Sequence, residues 1–362
     1  MSKIPLYLDV LGRPLDGSKK ALISLGNLET KLLSFDIEDV EIERPVFISG
    51  LARAGSTTLL EVLASHPDVS THQYRDYPYV HAHYFWRKLR WMMPQKAEKI
   101  EREHKDRIMV NAQSPEAMDE PLWTSFFEGL HNTDKENILG AEIGRHPFES
   151  FYQDHIKKNL CLHNATRFVS KNNYNLTRLK YLKSIFPDAR FIIPVRNPES
   201  HIASLVKQNK LFMEAQKNDP RSKRYTKRTE HYEFGDGFTP INFGNDHAMK
   251  TILDHWSKGE YALAYAHYWT MAHDYIYKHI MFDPEFSESV EVVRYDNLCE
   301  ESEDVIRHLV AFCGLEQQLG EVWFKEWGVK IISPEYYASA FSSEELSQIR
   351  AITGATHERL WS

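Results

Sequence analysis

The chain has 362 residues, 42% of them hydrophobic and 26% charged, with a formal net charge of −7. That length buries a large core, as one elaborated domain or two, and the composition is that of an ordinary soluble globular protein. The acidic balance excludes wholesale electrostatic binding of nucleic acid, so any anion site must be a local cluster of basic groups.

From the N-terminus, Pro5 and Asp9 interrupt what would have to be the apolar core of a signal peptide. No run approaches the roughly 18 apolar residues that a membrane span needs. Cys161, Cys299 and Cys313 lack CxxC spacing, so neither a disulfide framework nor structural zinc is expected, and the cytoplasm is the expected address. Apolar runs predict strands at 45–49, 138–143, 165–170, 190–195 and 290–295. Both alternations are apolar in these runs, as in strands covered on two faces, and helical patterns follow the first (57–66), precede the fourth (175–186) and follow the fifth (303–315). The predicted architecture is a three-layer α/β fold around a mostly parallel sheet, with right-handed crossovers. Two additions stand out. One is a charged helical insertion over 84–107, broken at Pro94 and extending to about 130. The other is a basic, lid-like loop over 217–244, which lacks apolar periodicity.

Residues 44–67, RPVFISGLARAGSTTLLEVLASHP, read as a buried strand, a glycine-bearing turn and a helix start. The first amides of a helix have no internal partner and carry the positive end of its dipole, so this turn suits an anion. Ala54, Gly55, Ser56, Thr57 and Thr58 would supply backbone N–H groups and hydroxyls, and Arg53 a forked cation matched to phosphate or sulfate oxygens. The spacing of Gly50 and Gly55 fits a Walker A loop, but Ser56 stands where its lysine belongs, which argues against a magnesium-dependent NTPase. A second anion site is expected in FPDARFIIPVRNPESHIASLVKQ, residues 186–208. There a strand ends in Arg196 and Ser204 follows two helical turns on, beyond the carboxyl edge where open α/β sheets collect ligands.

Together these stretches resemble the sulfotransferases that use 3′-phosphoadenosine 5′-phosphosulfate (PAPS). The turn is similar to the family's 5′-phosphosulfate loop, usually GLPRSGTTLLxxLLxxHP, and aligns without a gap. RFIIPVRNPESHIAS is similar to the 3′-phosphate motif, with Arg196 and Ser204 at the family's spacing, and VVRYDNL (292–298) resembles its RYEDL. The resemblance runs from about residue 44 to at least 315, and the arginine in the loop is similar to the branch containing tyrosylprotein sulfotransferases and many bacterial enzymes. Ala52, Ala54 and Ser56 depart from the usual proline, serine and threonine.

The resemblance implies a P-loop-NTPase-like fold. It also implies transfer of a sulfonyl group from PAPS to a hydroxyl or amine of a small-molecule or glycan acceptor, leaving adenosine 3′,5′-bisphosphate, with no metal. Arg53 and Lys171 would meet the 5′-phosphosulfate, although Asn173 replaces the proline of the family's KxP-like segment. The base glutamate of the tyrosylprotein branch falls on Tyr74 and does not carry over; the candidate general bases are Asp76, a short carboxylate that Arg75 and Tyr77 beside it would orient, and then His72, whose ordinary pKa lies nearer neutrality. Glu116, Asp119 and Glu120 either contact the acceptor or simply begin a helix. A segment over 330–362 would close over the nucleotide, with Tyr336 or Tyr337 stacking there, and the basic residues of 217–228 would suit an acidic or sulfated glycan. Two other readings stay open: a P-loop kinase, and a non-catalytic nucleotide-binding protein on a degenerate sulfotransferase fold.

Overall fold

The computed structural model describes residues 5–90, 100–101, 109–286, 288–332 and 341–361. Its centre is a parallel sheet of five strands, β1 (Val46–Ile48), β2 (Val69–Ser70), β5 (Arg167–Lys171), β6 (Arg190–Val195) and β7 (Val290–Arg294), in the order β2-β5-β1-β6-β7. A separate antiparallel pair joins β3 (Ile100–Glu101) to β4 (Met109–Val110).

Alternation decides which layer each strand residue serves. Phe47, Phe168, Phe191 and Ile193 enter one apolar cluster, while Val46, Ile48, Val169 and Ile192 enter the other. The first cluster is roofed by helices His146–His163, Pro198–Asn218 and Tyr261–Ile276. The second is covered by Ser56–Ala64 and Ser302–Cys313. A sheet apolar on both faces is stable only as the middle of three layers, and each large side chain sealed there contributes roughly 2 kcal/mol. Among the described residues no helix is long and apolar enough to cross a membrane.

Three local expectations are corrected. ILGAEI (138–143) is not a strand: the chain forms a 3₁₀ turn over Ala141–Ile143, between two glycines that weaken extended structure. In the insertion, the helix over His83–Arg90 is present, but Ile100–Glu101 belongs to the small antiparallel pair. The stretch read as a lid-like loop contains the helix Pro220–Arg228, with proline in the first turn and the Asp219 carboxylate accepting from the Arg221 amide.

Candidate active site

β1 ends at Ile48, and the chain leaves the sheet between β5 and β6. At Gly50 it passes so close to β6 that a Cβ would stand 2.9 Å from the Pro194 carbonyl oxygen, so glycine is required. Arg53 and Gly55 both take left-handed backbone, at φ 71° and 106°. Gly55 is the N-cap of helix Ser56–Ala64, and no side chain caps that helix. Its first turn carries the positive end of the helix dipole, an arrangement that suits an anion.

β6 delivers Arg196 to the same place. Its Nη1 donates to the Arg53 carbonyl (3.2 Å) and its Nε to Ser200 Oγ (3.1 Å), while the guanidinium lies 4.7 Å above the Tyr295 ring. Asn197 then caps helix Pro198–Asn218, and Arg53 Nε donates to Ser204 Oγ at 3.1 Å. The turn carrying Arg53, Ala54, Gly55, Ser56, Thr57 and Thr58 is thus joined directly to Arg196 and Ser204. Arg196 and Ser204 are 4% and 1% exposed; the side chain lying on Ser204 is that of half-buried Arg53.

Two residues that hold this corner were missed in the sequence. His201 lies 2.8 Å by Nε2 from the Ala52 carbonyl, and burial drives its pKa well below the ordinary value, so the neutral ring donates and ties the turn to the helix. Its position three residues before Ser204, on the same helix face, was the available signal. Tyr295 touches both halves: its ring underlies Arg196, and a Cβ on Gly55 would come within 2.4 Å of it.

Lys171 ends β5 in register with Ile48, one strand over from the turn, and is half-buried. The residues on either side of it are gripped by consecutive acids. Ser170 donates to Asp119, and Asn172 donates to Glu120 at 2.8 Å. Asn173, in the place of the family's proline, reaches Glu233 at 2.8 Å. Glu120 also receives both Nη atoms of Arg178 (2.7 and 2.8 Å) and lies 2.9 Å from His131 Nε2. Burial alone would raise its pKa, but the charge of Arg178, helped by His131, holds it down at about 2. Asp119 and Glu120 are therefore bracing groups rather than acceptor contacts. Glu116 is half-buried and accepts from the Ala117 amide at 2.7 Å.

The two expected bases lie in the interior, engaged by other side chains. Asp76 is fully buried and accepts from Arg87, from the Gln73 amide (3.0 Å) and from His72 (2.9 Å). Burial opposes its charge, yet Arg87 and then His72 keep it far below the usual carboxylate range. Its oxygens are thus occupied by donors from the chain itself. His72 is sealed with it, and although burial pulls its pKa down, the contacts its ring nitrogens make with the carboxylates of Asp119 and Asp76 raise it to about 9. That shift favours the protonated ring between the two carboxylates.

Tyr336 and Tyr337 lie outside the described residues. The basic residues of 217–228 are also not a bare patch: Arg221 pairs with Asp219, Lys223 with Asp236, Arg224 with Asp9, and Arg228 with Asp9 and Asp16. Among the described residues no group of three or more His, Cys, Asp or Glu side chains is arranged to hold a metal ion.

The chain resembles the crystal structure of sulfotransferase STF1 from Mycobacterium tuberculosis H37Rv at 16% identity and a TM-score of 0.46, covering 92% of this chain and 80% of that one. For sulfotransferase STF9 from Mycobacterium avium the values are 15%, 0.49, 91% and 80%. A sulfotransferase from Alicyclobacillus acidocaldarius gives 14%, 0.39, 88% and 95%. No curated protein sequence matches the chain. Residues 45–236, more than half of the 362, match the sulfotransferase family, and they include the turn, Lys171, Arg196 and Ser204: the chain belongs to the sulfotransferase family.

Proposed function

We propose that the enzyme uses PAPS as donor and an acceptor hydroxyl as the group it sulfates. The observation that carries this reading is the joining of the two anion-binding segments: Arg53 reaches Ser204, and Arg196 reaches the Arg53 carbonyl. The residues fit the donor's two charged ends. The uncapped first turn at Ser56, with Arg53, would hold the 5′-phosphosulfate, and Arg196 with Ser204 the 3′-phosphate. When bound, the donor supplies an activated sulfonyl group on a phosphate leaving group. The chain's share is to orient that group and to meet negative charge as it grows on the leaving oxygen. Fixed amides, Arg53 and Lys171 are suited to this, because they stand at the ends of adjacent strands and need no rearrangement at the moment of reaction.

Titration calorimetry with adenosine 3′,5′-bisphosphate, followed by labelled-sulfate transfer from PAPS to a panel of hydroxyl compounds, tests the assignment. Binding of ATP with magnesium in place of the bisphosphate would return the chain to the kinases. Arg196→Ala is expected to weaken the bisphosphate by about 2 kcal/mol, roughly thirtyfold. Arg53→Ala is expected to lower kcat by about a hundredfold while changing bisphosphate affinity much less. Equal losses in both quantities would remove Arg53 from the transition state.

A further inference from the structure

The two side chains read from the sequence as bases belong to a buried ion cluster, and that cluster extends to Lys171. His72 stands between two carboxylates, with Nδ1 2.9 Å from Asp76 and Nε2 3.0 Å from Asp119. Asp119 also accepts from the hydroxyls of Tyr152 (3.0 Å) and Ser170. Backbone bonds stitch the segment bearing Asp119 to the one bearing His72: Glu116 N to His72 O (2.9 Å), Tyr74 N to Ser114 O (3.1 Å) and Arg75 N to Ala112 O (2.9 Å).

Groups from every neighbouring element face His72. Asp76 comes from its own segment, and Arg87 and His83 come from helix His83–Arg90. Helix His146–His163 brings Tyr152 and His155, whose Nε2 is 3.0 Å from that of His72, with Lys158 and His163 farther along it. β5 contributes Phe168 and Ser170. Burial keeps His83 and His155 neutral. The charges nearest His72 are therefore two carboxylates, Arg87 and His72 itself, and they cancel only while His72 is an imidazolium. Losing its proton would leave an uncompensated negative charge in the interior and strip an N–H donor from a buried carboxylate.

We infer that His72 is a positioning residue for sulfonyl transfer: its Nδ1–H holds Asp76, the charge of its ring 3.0 Å away holds Asp119, Asp119 holds Ser170, and the anchored end of β5 sets where Lys171 stands beside the turn. This rests on the role proposed above for Lys171. The pKa raised from 6.5 to about 9 fixes the sign of the pH dependence. The grip is complete below the unfolded value and is lost as pH rises through the folded one.

The test is the pH profile of kcat for the full chain, with PAPS and an acceptor the wild type turns over, beside bisphosphate affinity at each pH. The wild type is expected to lose kcat with a midpoint at about 9. Asp119→Asn should move that midpoint toward neutrality. His72→Gln should abolish the limb and lower kcat at neutral pH by roughly tenfold to a hundredfold, with bisphosphate affinity unchanged. A limb that keeps its midpoint in both variants overturns the inference. Should neither variant fold, imidazole nitrogen NMR of the wild type decides: a protonated His72 ring at neutral pH is expected, and a neutral ring overturns the inference. A wild type that neither binds the bisphosphate nor transfers sulfate sinks the functional assignment instead, and the NMR reading still decides the state of His72.

Discussion

Gly55→Ala is expected to weaken binding of adenosine 3′,5′-bisphosphate by about a hundredfold, through two effects that add. A side chain at φ 106° costs roughly 1–3 kcal/mol of backbone strain. The new methyl group would also stand 2.4 Å from the Tyr295 ring, on which the Arg196 guanidinium rests at 4.7 Å. One substitution therefore displaces the turn and the arginine together. Gly259→Ala separates the two effects. It has a similar left-handed backbone, φ 76°, but nothing within 4 Å of an added Cβ. It should lose stability in urea denaturation by the strain alone and bind the nucleotide as the wild type does. Equal nucleotide affinity in Gly55→Ala and the wild type would separate Tyr295 and the turn from the anion site.

The largest stability effect is expected from Arg178→Ala. Arg178 and Glu120 are 1% and 2% exposed, and their paired hydrogen bonds are 2.7 and 2.8 Å long. Removing one partner of a buried ion pair leaves the other's charge uncompensated, at a cost of about 3–5 kcal/mol. The pH dependence has a definite sign. With Glu120 held at about 2, the pair contributes fully above the unfolded value of 4.5, and the contribution is lost only as pH falls through 2. In the variant, burial without the arginine pushes Glu120 up. The deficit against the wild type is then greatest at neutral pH and narrows as acid protonates the carboxyl. Urea denaturation at several pH values reads this directly, and a deficit independent of pH would assign the loss to packing of Arg178 over Trp123, 4.7 Å away.

Sequence reading succeeded where the determinants are local. A strand apolar on both faces, a left-handed glycine and an uncapped helix start all lie within about a dozen positions of Gly55, and the spacing from Arg196 to Ser204 is a property of one strand end and one helix. It failed where the partner is remote. Asp76 beside Arg75 looked like an oriented base, but its cation is Arg87, and the second carboxylate on His72 comes from Asp119. Composition cannot distinguish a catalytic carboxylate from one bracing the interior, since both are acids among histidines and aromatics. The helix at Pro220–Arg228 was legible in principle, because Asp219-Pro220 is a helix-start signal. The lack of apolar periodicity after it drew the reading toward a loop instead.

Arg224 and Arg228 end on Asp9 and Asp16, acids more than two hundred positions earlier in the chain. These carboxylates act as built-in counterions. A sulfated or otherwise polyanionic sugar drawn to this helix would have to evict a tethered acid from each arginine before gaining any attraction of its own. The six positive charges counted between Lys217 and Arg228 therefore give little reason to expect an acidic acceptor.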